Sequence, residues 1–123
     1  MSSREVVLHT ACPSGDRMLR GVANMLLANV RPSDTVARLG GDEMAIILPD
    51  TDSETAAAVA ARLVDVIARM AVGSGRMAGV SITVSIGLAT LGERDNADSL
   101  MARADSALYI AKKQGRNRFA VAA

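Results

Sequence analysis

The chain has 123 residues, half of them apolar, 22% charged and 2% aromatic, which suits one soluble globular domain and argues against wholesale disorder. Fourteen basic residues stand against thirteen acidic ones, and a net charge of +1 excludes a protein that grips nucleic acid by bulk positive charge. The single cysteine, Cys12, excludes an internal disulfide and a metal site built from cysteines.

The sequence contains no predicted membrane segment, because charged residues and glycines interrupt every apolar stretch. The apolar run near the start, Val6 to Leu8, is too short for the core of a signal peptide. We also find no internal repeat or linker. We therefore expect a cytoplasmic protein with a single domain over residues 1–123.

The first third of the chain predicts a strand, a loop and a helix. A compact apolar run favours a strand over Glu5–His9, and Pro13 favours a loop after it. Apolar residues at three- and four-residue steps predict a helix over Asp16–Asn29. Pro32 ends that helix, because proline lacks an N–H group and restricts the residue before it.

The middle of the chain predicts a β-hairpin followed by a helix. Two strand-like runs, Thr35–Leu39 and Asp42–Leu48, flank Gly40-Gly41, and tight hairpin turns favour glycine because they need positive φ. A helix over Ser53–Ala71 follows, preceded by capping residues.

The last third predicts two more strands around a helix. Apolar and polar residues alternate over Val80–Leu88, as in a strand with one buried face. A helix over Asp98–Gln114 follows, with Gly115 as its C-cap, and Arg118–Val121 forms a last strand. These elements predict an α/β (α+β) fold with a central, mostly antiparallel sheet flanked by helices.

The most informative motif is Gly40-Gly41-Asp42-Glu43. It places two adjacent carboxylates at a hairpin tip, where the missing glycine side chains let a bulky ligand approach the backbone. Carboxylate oxygens suit Mg²⁺, which usually binds together with phosphates. The alternative is an ordinary turn whose acids only contact solvent.

A second motif follows at the end of the last helix. Lys112 and Arg116 lie four residues apart, so both can reach one anion. Alternatively, these cations only complement the dipole of the helix.

Together these stretches resemble the GGDEF domain of diguanylate cyclases. The resemblance runs from about Gly15 to Phe119, with Met44 in place of the usual Phe. The matching motifs occur in the family's order: Gly40-Gly41-Asp42-Glu43-Met44, Ser85-Ile86-Gly87, Ala104-Asp105-Ser106-Ala107-Leu108-Tyr109 and Lys112 to Arg118. The resemblance implies a bacterial domain with the palm-like fold of nucleotidyl cyclases, in which the first strand and the substrate loop are reduced.

The resemblance implies condensation of two GTP molecules into cyclic di-GMP by an antiparallel homodimer with two Mg²⁺ ions. By this resemblance Asp42 and Glu43 are metal ligands and catalytic residues, with Asp42 the better candidate to assist deprotonation. Gly40 and Gly41 give the nucleotide room. At the end of the last helix, Lys112 and Arg116 would hold the terminal phosphates.

By the same resemblance, one further residue and one further pair match sites of the family. Asp16 matches an acid that contacts guanine, although an acid in the first turn of a helix is favourable in its own right. Arg31 and Asp34 match the RxxD inhibitory site for cyclic di-GMP, since the arginine fork can meet a phosphate or a guanine edge. The alternative for this pair is a helix-ending turn.

The chain departs from the family over residues 1–14. The family's first strand ends in a metal-binding Asp, and its next loop carries a guanine-binding Asn, whereas Thr10 to Ser14 contains neither. His9 falls near the missing Asp, but imidazole is a poor ligand for Mg²⁺, so we do not assign His9 to the metal. Since losing one transition-state contact can cost ~10²–10³ in rate, we expect this chain alone to be impaired in catalysis.

Three functional readings remain open. The chain is a diguanylate cyclase domain, complete or cut from a longer protein; a degenerate GGDEF module that binds cyclic di-GMP or GTP as a receptor; or a dimerisation or interaction domain. GTP and cyclic di-GMP are the expected small-molecule partners, and no nucleic acid is expected.

Overall fold

A computed structural model describes residues 5–12, 16–73 and 82–123 of the chain, with residues 16–19 and 70–73 described by their backbone alone. Within those ranges the strands are β1 (Glu5–Ala11), β2 (Thr35–Gly40), β3 (Glu43–Pro49), β4 (Ser85–Thr90) and β5 (Arg118–Val121), and the helices are α1 (Asp16–Ala28), α2 (Ser53–Gly73) and α3 (Ala97–Lys113).

The strands form one sheet in the order β2-β3-β1-β4-β5. The central strand β1 runs antiparallel to both of its neighbours, β3 and β4, and β2 runs antiparallel to β3. Only β5 is added in parallel, beside β4. The predicted mixed fold with a mostly antiparallel sheet is therefore confirmed.

Helices cover both faces of the sheet. Val6 and Leu8 of β1 pack with buried side chains of α1, α2, β3 and β4 in the larger core. Because side chains alternate along a strand, Val7 points to the other face, where it packs against Leu100 and Ala104 of α3. His9, two residues after Val7, shares that second face. The sheet thus separates α1 and α2 from α3.

A two-residue turn, Gly41-Asp42, joins β2 to β3, one residue later than the predicted Gly40-Gly41, because Gly40 still pairs with Glu43. Gly40 has φ +142° and Gly41 has φ +54°, conformations that side chains with a Cβ rarely adopt. The Arg38 guanidinium donates to the Gly41 carbonyl at 2.8 Å and 3.2 Å, which closes the turn. Apart from each glycine and its two chain neighbours, no atom of the described residues lies within 4 Å of an added Cβ at Gly40 or Gly41, so the outside of the hairpin is open.

Helix α3 is capped at both ends. Asn96 accepts a hydrogen bond from the Ser99 amide, and the Ser99 side chain accepts one from the Asn96 amide. This reciprocal pair satisfies two amides that the helix cannot. At the other end Gly115 has φ +122°, and its amide donates to the Lys112 carbonyl at 3.3 Å. The positive φ expected of Gly115 is confirmed, but the C-cap residue is Gln114, one position earlier than predicted.

Two predicted strands, β1 and β4, differ from those observed by two residues or more, whereas β2 and β3 differ by one. β1 continues past His9 to Ala11, because its last residues pair with both β3 and β4. β4 begins at Ser85, whereas the alternating pattern predicted a strand from Val80, which lies outside the described residues. Ile82 and Val84 are buried as the pattern requires, although they lie outside the strand.

A membrane-spanning helix is not found in the described part of the chain, where every helix is too short or too polar for one.

Candidate functional site

The two acids of the hairpin lie where β1 ends. Glu43 is the first residue of β3 and pairs with Ala11, the last residue of β1. Asp42 occupies the turn, and its carbonyl accepts a hydrogen bond from the Cys12 amide at 3.1 Å. Both acids are half-buried. The hairpin tip is therefore held against the end of the central strand.

His9 lies directly beside the carboxylate of Glu43. Its Nε2 atom is 2.6 Å from Glu43 Oε1, and His9 itself is only 5% exposed. Since an ionised carboxylate only accepts hydrogen bonds, Nε2 carries the proton in this contact. The residue for which the sequence suggested no role thus stands at the centre of the site.

Helix α3 brings a third group to the same place. Gly87 of β4 pairs with His9, and a Cβ at Gly87 would lie 2.1 Å from the Ala104 carbonyl oxygen of α3. The helix backbone can approach this closely only because residue 87 lacks a side chain. As a result Asp105 Oδ1 lies 3.6 Å from His9 Nδ1.

The potential metal ligands of His9, Glu43 and Asp105 all lie within 4.8 Å of one another. Glu43 and Asp105 are accessible, with side-chain exposures of 38% and 69%. The described groups of this kind do not include Asp42, the second acid of the predicted magnesium pair. The set of one imidazole and two carboxylates fits Mg²⁺ poorly, because Mg²⁺ prefers oxygen ligands throughout.

Lys112 is placed on the same face of α3 as Asp105. Seven residues are nearly two helical turns, so Lys112 lies about 10 Å further along the helix axis. Its side chain is half-buried, whereas Arg116 is exposed beyond the end of the helix with φ +62°. Lys112 thus continues the Asp105 face of α3, and Arg116 lies beyond the end of that helix. Asp16 is the first residue of α1, and its side chain lies outside what the structure describes.

The Arg31–Asp34 pair forms a second, separate constellation. The Arg31 amide and its Nη2 both donate to the Asp34 carboxylate, at 2.8 Å and 3.2 Å. The same Nη2 reaches the Pro49 carbonyl at 2.9 Å and Thr51 Oγ1 at 2.6 Å. Asp34 is 3% exposed and Arg31 53% exposed by side chain, so a buried carboxylate holds an accessible guanidinium in place.

A cavity of about 440 Å³ opens beside this arginine. Its wall combines Arg31, Asp34, Thr51 and Thr55 with apolar side chains and with Arg62 of α2. Arg62 is fixed by a 2.7 Å hydrogen bond from Nη2 to the Asn29 carbonyl. Two guanidinium groups against one carboxylate give the cavity wall an excess of positive charge, which favours an anion.

Sequence reasoning missed three of these residues. His9 and Glu43 are 34 positions apart, and only the strand register brings them together. Asp105 was visible only as part of a motif, and Arg62 only as a charged residue on the exposed side of a helix. Arg62 could have been found only from the packing of α2 against α1, which places the Arg62 side chain over the end of α1.

The whole domain has clear relatives. The family model described as "Diguanylate cyclase, GGDEF domain" matches residues 12–118. The chain is 36% identical over 111 residues to the "Probable diguanylate cyclase DgcT" of Escherichia coli strain K12, covering 89% of this chain and 25% of that protein. It is 41% identical over 106 residues to the "Response regulator PleD" of Caulobacter vibrioides, covering 84% of this chain and 23% of that protein. The chain thus spans about a quarter of the length of these relatives.

Solved structures agree with this assignment. The GGDEF domain of DgcB from Caulobacter crescentus, in complex with c-di-GMP, superposes with a TM-score of 0.87 at 26% identity, covering 97% of this chain and 78% of that one. The GGDEF domain of PA1120 from Pseudomonas aeruginosa gives a TM-score of 0.85 at 31% identity, covering 98% and 83%. The chain therefore belongs to the GGDEF-domain family of diguanylate cyclases, a family of cyclic di-GMP signalling.

Proposed function

We propose that this chain serves cyclic di-GMP signalling chiefly as a binding domain, with cyclic di-GMP held in the cavity beside Arg31. The observation that carries the proposal is the pairing of two fixed arginines, Arg31 and Arg62, on one cavity of about 440 Å³. Cavities of that size suit small ligands. The complex of the related DgcB domain with c-di-GMP supports this choice of ligand.

The ligand chemistry matches what the arginines offer. Cyclic di-GMP carries two phosphodiester charges and two guanine edges, and an arginine fork can pair bidentately with either. Within the described residues, the side-chain hydrogen bonds of Arg31 all use Nη2. Nε and Nη1 are then available to a ligand, while Asp34 acts as a positioning residue.

Calorimetric titration of the whole chain with cyclic di-GMP tests the proposal. We expect binding that Arg31→Ala and Arg62→Ala each weaken by about 10–100-fold, the range for losing hydrogen bonds to a charged group. Arg69→Ala is the matched control, because Arg69 lies on the same helix and pairs with Asp65 away from the cavity. Absence of heat at concentrations well above micromolar would eliminate the binding function, and full binding by Arg31→Ala would refute the site.

A second candidate function is the condensation of GTP, which the open glycine hairpin with Asp42 and Glu43 favours. We infer that this chain alone performs it weakly. The connection from β1 to α1 comprises only residues 12–15, with no Asp and no Asn. One oxygen of Glu43 is also engaged by His9 at 2.6 Å. A missing transition-state contact costs ~10²–10³ in rate.

Cyclic di-GMP production by the purified chain with GTP and Mg²⁺ measures this directly. We expect little or no product, and Asp42→Ala should lower any residual rate further. Synthesis at rates ordinary for an enzyme would contradict the impairment. In the family, two chains associate and each presents one GTP to the other. The assay should therefore be run at several protein concentrations, because activity depends on dimer formation. We place this activity, like the binding, in the cytoplasm.

A further inference from the structure

We propose that His9, Asp105 and Glu43 form a site for a borderline divalent transition-metal ion such as Zn²⁺. His9 Nδ1 and the Asp105 carboxylate are the ligands, and Glu43 positions the imidazole. The proposal is independent of the cyclic di-GMP cavity, because the cluster lies on the α3 side of the sheet and uses other residues.

The first argument is the state of the His9 ring. Its Nε2 is bonded to Glu43, whereas Nδ1 is buried and has no hydrogen-bond partner among the described residues. Buried polar atoms are normally paired, so an unpaired one calls for a partner beyond those that the described residues supply. With the proton on Nε2, Nδ1 of the neutral ring presents a bare lone pair.

The second argument is where that lone pair lies. Nδ1 is 3.6 Å from Asp105 Oδ1, a gap too long for a hydrogen bond. It is close to the roughly 3.3 Å that separates two ligands of a tetrahedral ion with bonds of about 2.0–2.1 Å. One ion between the two atoms would satisfy both, and 69% exposure of the Asp105 side chain lets solvent enter and complete its coordination.

The third argument concerns which ion is preferred. Imidazole nitrogen is a good ligand for Zn²⁺ and a poor one for Mg²⁺. A histidine that binds a metal usually donates its other N–H to a carboxylate, which fixes the ring and raises its basicity. Glu43 already makes that contact at 2.6 Å. The arrangement therefore selects against the ion that the hairpin acids alone predict.

Calorimetry on the chelator-treated whole chain, without nucleotide, tests the site with Zn²⁺ and Mg²⁺ as probes. We expect one Zn²⁺ per chain, bound at least about tenfold more tightly than Mg²⁺. Asp105→Asn should weaken Zn²⁺ binding at least about tenfold while leaving the fold intact, because its side chain is largely exposed. Asp98→Asn, an exposed acid on the same helix, is the control and should bind as the unaltered chain does.

The chain has one histidine, so its ring nitrogens give an unambiguous signal in nitrogen NMR. Zn²⁺ should shift Nδ1 and leave Nε2 protonated, and Glu43→Ala should abolish the tautomer preference in the metal-free chain. A Zn²⁺-induced loss of the Nε2 proton, equal Zn²⁺ affinity in Asp105→Asn, or tighter binding of Mg²⁺ would each overturn the proposal.

Discussion

Gly87 and His9 face each other across the β1–β4 ladder, and the absence of a side chain at one permits the contact made by the other. Because residue 87 is a glycine, the α3 backbone at Ala104 and Leu108 packs directly against the sheet. That depth of packing carries Asp105 to within 3.6 Å of the His9 ring. The close approach of helix to strand is therefore part of the site.

Gly87→Ala should destabilise the domain by about 1–3 kcal/mol, because an added Cβ would lie 2.1 Å from the Ala104 oxygen and 2.3 Å from the Leu108 nitrogen, both backbone atoms. Denaturant unfolding measures the loss. Gly92→Ala is the control, since its Cβ would meet only the movable Asp95 side chain, at 3.2 Å. Equal stability of the two variants would show that α3 shifts without cost.

The loop before α3 contains a network centred on Asp95. The Asp95 carboxylate accepts hydrogen bonds from the Gly92 amide and from the Ser99 hydroxyl, both at 2.8 Å, and from Arg103 Nη1 at 2.7 Å. The Gly92 amide first, then the Ser99 hydroxyl and, less strongly, Arg103, hold the pKa of Asp95 below its ordinary value, against an opposing effect of burial. The Asp95 carboxylate is therefore protonated less readily in the folded state than in the unfolded state.

A lowered carboxyl pKa makes its contribution to stability depend on pH in one direction. The contribution is fully present above the ordinary value of 3.8 and is lost as the pH falls from there through the folded-state pKa. Asp95→Asn should therefore lower Tm at pH 7, with a difference that shrinks in acid. Thermal melts between pH 7 and pH 2.5 measure it, with Glu93→Gln, an exposed acid of the same loop, as control. A difference that stays constant with pH would exclude Asp95 as its source.

The N-cap of α3 gives a third prediction. Asn96→Ala removes the acceptor of the 2.8 Å bond from the Ser99 amide, and we expect a loss of about 1 kcal/mol in unfolding free energy. Asn96→Ser retains a capping oxygen and should lose much less. If both variants unfold at the same denaturant concentration, the capping box contributes nothing.

Lys112→Ala should weaken GTP binding and make the remaining affinity less sensitive to salt, because it removes a cation from the Asp105 face of α3. Lys113→Ala is a matched control: its ammonium lies 5.5 Å from the centre of the Tyr109 ring. Titrations with GTP at two salt concentrations compare the variants. Unchanged affinity in Lys112→Ala would return this lysine to a role at the helix end.

Local patterns predicted most of the fold. The three helices and the hairpin follow from periodicity, proline and glycine, so their ends agree to within a few residues. The pattern misplaced the start of β4, because burial of Ile82 and Val84 mimics a strand without ladder partners. It also ended β1 too early, since pairing of Thr10 with Met44 and with Ile86 is a tertiary fact.

The sites were predictable only where their residues are neighbours in sequence. Arg31 and Asp34 share one turn, and Asp42 and Glu43 share one hairpin, so spacing identified them. His9 with Asp105 depends on strand order and on a bare glycine, and Arg62 depends on how α2 crosses the end of α1. Such relationships arise from the packing of the whole chain.

The three side-chain hydrogen bonds of Arg31 to Asp34, Pro49 and Thr51 have a kinetic consequence. Immobilising a free, rotamer-rich side chain on association costs about 0.5–1.5 kcal/mol, and here that conformational entropy is lost during folding instead. A dianion that reaches the cavity meets a guanidinium already oriented. Its association rate should thus be governed by diffusion and long-range electrostatic attraction. Added salt should therefore lower the association rate constant more than it raises the dissociation rate constant.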